Sequence, residues 1–230
     1  MSYQLPEAAS LETLLDYATD VIAGLEAVPE LAGLAAPWRT LRDGLRTDRD
    51  ARDEARAVLR GAQRRVTVLD MLWDRALVDL SGRAFLAAGK NAGNEPYASL
   101  FGTVSAADAT KLGAHKASAF GAQVVARAKS LAHADLAGAV ATLEAATSAL
   151  ETAGATRDDL EVKAQLHEIT RIQRCVTVEK QVATTEVGVL TLFPGRADLV
   201  RATLALARRD RAPKAAPPAG DAVETAAEPA

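Results

Sequence analysis

Three histidines, one cysteine, one glycine–lysine pair and a row of arginines are the residues of this 230-residue chain whose types and spacing bear on chemistry. His115 and His133 stand five helical turns apart, so on one continuous helix they share a face yet lie ~27 Å from each other, too far to hold one ion. No Glu has a His three residues on, which the ligand pairs of di-iron helical bundles require. His167-Glu168 opens like a zinc-protease motif, but Arg171 stands where the second His would be. Each His is therefore expected at the surface or its boundary, and no metal or cofactor is expected. Gly89-Lys90 departs from the phosphate-binding loop at both ends: Ala84 replaces its first glycine and Asn91 its Ser/Thr. No Gly-x-Gly-x-x-Gly or Gly-x-Ser-x-Gly occurs. Cys175 precedes Val176 on an apolar stretch and suits a packed small residue better than a nucleophile. No constellation supports a reaction, and the chain is expected not to be an enzyme.

The most informative feature is cationic. Arg39, Arg42, Arg46, Arg49, Arg56, Arg60 and Arg64 follow one another at helical spacing. At 100° per residue they fall within an arc of roughly 100°, opposite the apolar stripe of the same segment. Such a row could meet phosphates or an acidic protein. Against this, Asp53 lies inside it, Asp43 and Asp50 flank it, and no aromatic residue interleaves for base stacking. The plainer expectation is a solvated helical face carrying mixed-sign pairs.

The elements that position these residues are helices. Nearly half the residues are hydrophobic, yet the chain has only two tryptophans, three tyrosines and four phenylalanines, the rest being mostly Ala, Leu and Val. Ala is the best helix former and packs helices at close range. The net charge of −3 and pI near 5.7 do not draw the chain to nucleic acid or anionic membrane. With one cysteine no internal disulfide forms. Neither a signal peptide nor a transmembrane run is legible, and the expected location is cytoplasmic.

Ser10 caps a first helix that Pro29 ends. A second is expected from Pro37 to about Leu80, with Leu69, Trp73, Ala76, Leu77 and Leu80 inward. Residues 82–102 break the pattern with Gly89, Gly93 and Pro96. Ser105 and Asp108 have capping-box spacing, so a third helix is expected from about Ala106 to Thr152, with bends or close contacts at Gly113, Gly121 and Gly138 and a stop at Gly154. Gly61 is a similar candidate kink in the second helix. A fourth runs from Arg157 to Leu190, with Val162, Leu166, Ile169, Val176, Ala183, Val187 and Leu190 inward, and a fifth from about Ala197 to Arg209. Residues 211–230 hold four of the nine prolines and no large apolar residue, and read as a disordered tail.

Gln63-Arg64-Arg65-Val66-Thr67-Val68 returns as Gln173-Arg174-Cys175-Val176-Thr177-Val178, and Leu100-Phe101-Gly102 resembles Leu192-Phe193-Pro194. These matches suggest a duplication that places Val66 with Val176 and Leu77 with Val187. The expected fold is thus all-α: an elongated antiparallel helical bundle of two pseudo-symmetric helical-hairpin halves, residues 1–102 and 103–210. Phe101 and Phe193, each in a Leu-Phe turn, are expected to plug the bundle ends, or, if exposed together, to dock a partner. The functional expectation is a non-catalytic structural or protein-interaction bundle, with a protein partner or self-association and no membrane. One alternative is a nucleic-acid or polyphosphate binder using the arginine row. Another is a carrier or enzyme with a motif-free pocket inside the bundle.

Overall fold

The computed structural model describes residues 9–102 and 104–204, and among them every regular element is helical. The chain forms α1 (Leu11–Glu26), a 3-10 turn (Pro29–Leu34), α2 (Ala35–Ala87), two short helices α3 (Tyr97–Phe101) and α4 (Ala106–Ala109), α5 (Ala114–Leu131), a second 3-10 turn (Ala134–Leu136), α6 (Ala137–Leu192) and α7 (Ala197–Leu204). Ser10 accepts from the Thr13 amide at 3.2 Å to start α1, and Ser105 accepts from the Asp108 amide at 3.1 Å to start α4.

α2 and α6 are the frame. At 53 and 56 residues they are each about 80 Å long. Trp38 meets Thr185, Asp48 meets Arg174 and Trp73 meets Thr147, so the two helices run antiparallel along their whole lengths. The helix expected to end at Leu80 continues through Gly82, because Leu80, Ala84 and Ala88 go on burying one face against α3 to α5. The single helix expected from Ala106 to Thr152 is instead three pieces. Gly113, extended at φ −70° and ψ 157°, starts α5, and Ala132 in the left-handed region at φ 49° ends it. Gly154 does not stop the chain. It is buried within α6, where a glycine costs only about 1 kcal/mol and unbroken packing on α2 outweighs that.

Two cores occupy the two ends of this frame. The near core joins α1, the start of α2, the end of α6 and α7, centred on Leu14, Leu25, Trp38, Leu45 and Val178. The far core joins the second part of α2, α3 to α5 and the start of α6, centred on Trp73, Leu77, Phe101, Val124 and Leu143. Each core therefore draws on residues from both sides of position 102. The near core takes residues 9–45 and 175–204, and the far core takes residues 66–153. Within each core a tryptophan of α2 donates its indole N–H to a threonine of α6: Trp38 to Thr185 at 2.8 Å and Trp73 to Thr147 at 3.1 Å.

The register proposed from the repeated segments is not reflected in burial. Leu77 is fully buried while Val187 is 66% exposed, and Val66 is buried while Val176 is not. The inward face expected for the last long helix is also displaced. Cys175, Val178, Val182, Thr185 and Val189 are buried, whereas Val162, Leu166, Ile169, Val176 and Val187 are exposed. The Trp38–Thr185 and Asp48–Arg174 contacts set this phase and turn the apolar stripe of α6 outward. The last helix is described only to Leu204, and the proposed tail of residues 211–230 lies outside the described residues.

Candidate interaction surfaces

Between the cores, residues 46–65 of α2 and 155–174 of α6 contain no buried residue. Over this span α2 and α6 are a bare pair. Their seam is made of half-buried residues: Arg52, Ala55, Leu59 and Ala62 from α2, and Leu160, Ala164, His167 and Arg171 from α6. Alanines, long polar side chains and only two leucines fill it, where larger apolar side chains fill the cores. Charged groups tie it down near one end. Arg174 Nε donates to Asp48 at 2.5 Å, and its guanidinium lies 3.3 Å from where a Gly44 Cβ would stand, so the glycine leaves room for it. Arg52, only 12% exposed, bonds Glu12 on α1 and Asp53, while Arg171 donates to the Ala9 carbonyl at 2.8 Å. The Arg52 hydrogen bond pulls the Glu12 carboxyl down to about 2. Apart from Arg52 with its neighbour Asp53, each of these tethers joins different elements, so helical spacing does not reveal it.

The outer face of α2 carries the arginine row. Arg39 pairs with Glu26 at 2.5 Å, Arg42 with Asp43 at 3.1 Å and Arg49 with Asp50 at 2.7 Å, so carboxylates meet three of the seven cations. Arg46, Arg56, Arg60 and Arg64 are exposed. The seven follow one another along the one continuous helix α2, and Arg39, Arg42 and Arg49 are neutralised by neighbouring carboxylates.

The outer face of α6 carries the opposite character. Val162, Leu166, Ile169, Ile172 and Val176 are each 45–58% exposed. They lie within an arc of about 120° centred on Ile169, diametrically opposite the seam with α2. Contiguous exposed aliphatics on a helix are uncommon away from an interaction site.

The remaining candidates are dispersed. His115 Nε2 lies 2.8 Å from Asp158, a pair near the start of α5, and His133 stands beyond the end of that helix, so no continuous helix joins the two. His167 is half-buried in the seam. Among the described residues, no three His, Cys, Asp or Glu side chains converge as metal ligands would. Cys175 is buried in the near core with its sulfur 4.0 Å from the Ala9 carbonyl oxygen. Phe101 is buried beside Tyr97, ring centroids 5.0 Å apart, and Phe193 is half-buried against the near core, so the two sit in different cores. Asp70 on α2 keeps one buried oxygen without a partner, and burial raises its carboxyl and that of Asp74 above the ordinary range. An open groove of ≈ 510 Å³ runs between α2 and α6 beside the far core, lined mainly by Leu69, Leu72, Ala76, Ala146 and Ala149.

No family model, curated protein or solved structure matches this chain. No helix of the described residues is long and apolar enough to cross a membrane.

Proposed function

We propose that this chain is a non-catalytic interaction protein, a rod that holds an apolar helical face open to a protein partner. The observation that supports the reading best is the outer stripe of α6, where Val162, Leu166, Ile169, Ile172 and Val176 stay about half exposed on the face opposite a seam that contains only two leucines among alanines and polar residues. A monomer with no partner would gain by turning that stripe toward α2. The arginine row gives less support to a nucleic-acid reading, since Glu26, Asp43 and Asp50 already engage part of it.

A photo-crosslinking side chain at position 169, compared with one at Lys116 on α5 and one at Arg60 on α2, tests this in the cells that make the protein. Protein adducts from position 169 well above the Lys116 background are expected. No protein adduct from position 169, with nucleic-acid adducts from position 60, would replace this reading with the phosphate-binding one.

A further inference from the structure

The stripe on α6 has an internal symmetry. Counting outward from Ile169, Leu166 and Ile172 stand three residues away, Gln165 and Gln173 four, and Val162 and Val176 seven. Each pair is matched in chemistry: aliphatic with aliphatic, amide with amide, valine with valine. At 100° per residue the seven side chains fill the same arc of about 120°, and none is charged. A helix with such a pattern is complementary to its own reverse.

We propose that α6 pairs antiparallel with α6 of a second copy of this chain, about a twofold axis at Ile169. This rests on the interaction reading above and names the partner. In that pairing Ile169 meets Ile169 once on the axis, while Leu166 meets Ile172, Val162 meets Val176 and Gln165 meets Gln173, each of these three contacts made twice, as an isologous interface requires. The charges at the ends of the stripe choose the direction. Asp158 lies eleven residues before Ile169 and Lys180 eleven after it, both within the arc. Antiparallel pairing sets Asp158 of one copy, which also pairs with Arg157 and His115 of its own chain, by Lys180 of the other at both ends, whereas parallel pairing sets like charge against like. Asp159 and Glu179 fall about 80° from the centre, outside the contact.

Among the described residues, no side chain covers the stripe itself. α5 reaches α6 no further than Asp158, where His115 touches it, and the near core begins again at Cys175. Across that gap α2 lies on the opposite side of α6, the one other described contact being Arg171 with the Ala9 carbonyl, and the stripe spans about 21 Å. Seven side chains per copy, the aliphatic ones about half exposed, amount to on the order of 1,000 Å² in total, the lower limit for a specific interface. The dimer is therefore weak and concentration-dependent.

Sedimentation equilibrium of the full chain across micromolar to millimolar concentration is expected to show a monomer–dimer equilibrium. Ile169→Glu should weaken it by at least about a hundredfold, since it removes two central aliphatics and brings two carboxylates together on the axis. Ile169→Leu should keep it, and neither change should move the melting midpoint of the monomer by more than about 2 °C, because the site is on the surface. Register is read with a short bis-maleimide in a Cys175→Ala background that melts like the parent. Ile169→Cys should crosslink to itself, Val162→Cys should crosslink when mixed with Val176→Cys, and Val162→Cys alone should not. Efficient self-crosslinking of Val162→Cys would overturn the antiparallel pairing. A dimer indifferent to Ile169→Glu, or a monomer at every concentration, would overturn the proposal itself. If that monomer still gives adducts from position 169 to a different protein, the interaction reading stands without self-pairing. If it gives none, both fall.

Discussion

Gly121 sits on α5 where a Cβ would come within 2.5 Å of Thr147 Oγ1 and 2.6 Å of Trp73 Nε1. The glycine lets α5 close over the one hydrogen bond that anchors the far tryptophan. Gly121→Ala gains about 1 kcal/mol of helix propensity but overpacks the site by about 1–3 kcal/mol and displaces a buried hydrogen bond, so it should destabilise. Gly138, with nothing within 4 Å, offers the contrast: Gly138→Ala should stabilise by up to about 1 kcal/mol. Chemical denaturation of the two variants checks both signs. A second residue-scale expectation concerns Glu12. Its folded carboxyl titrates at about 2 against an ordinary 4.5, so the stability it adds is present above pH 4.5 and is lost as pH falls toward 2. Glu12 is half exposed, which limits the effect to on the order of 1 kcal/mol. Glu12→Gln should thus lose stability at pH 7, and the gap from the parent should close near pH 2.

At the scale of elements, the arginine row and the apolar stripe are the outer faces of two helices that share one seam. If the row is a solvated face, changing Arg46, Arg56, Arg60 and Arg64 to Gln should leave the circular dichroism and the melting midpoint close to those of the parent, since exposed charges contribute about 0–1 kcal/mol each. The two faces were not equally legible in the sequence. The arginines and the α2 stripe around Trp73 share a helix whose phase is plain from Leu69 to Leu80, and Trp73 is indeed fully buried. On α6 the same reasoning makes Val162, Leu166, Ile169 and Val176 the core face, since they are large aliphatics at helical spacing. Periodicity shows that such a face exists but not what covers it. The buried face there is Cys175, Val178, Val182 and Thr185, smaller and partly polar, and it is chosen by Trp38 and Asp48 on a helix more than a hundred positions away in the chain. Helix ends failed for a related reason. Gly154 is a good stop signal locally, yet packing on α2 carries the helix past it.

At the scale of the molecule, the two cores differ in how they are assembled. The far core closes within residues 66–153, whereas the near core must join residues 9–45 to residues 175–204 across everything between. Loop closure favours the shorter assembly, so the far end should become ordered first in refolding. Each core holds one of the two tryptophans. Stopped-flow fluorescence of Trp38→Phe, which leaves Trp73 as reporter, should therefore show a faster phase than Trp73→Phe, which leaves Trp38. Coincident phases would mean that the frame helices dock as one cooperative unit. The lone cysteine adds a consequence of its own. Cys175 lies under the Ala9 carbonyl, two residues ahead of α1, and beside the Arg171 guanidinium, so maleimide labelling of its sulfur should speed up whenever that end of the first helix lifts away. Its labelling rate is then a clock for fraying of the near end under native conditions, one that ignores the far end, and it needs no engineered probe.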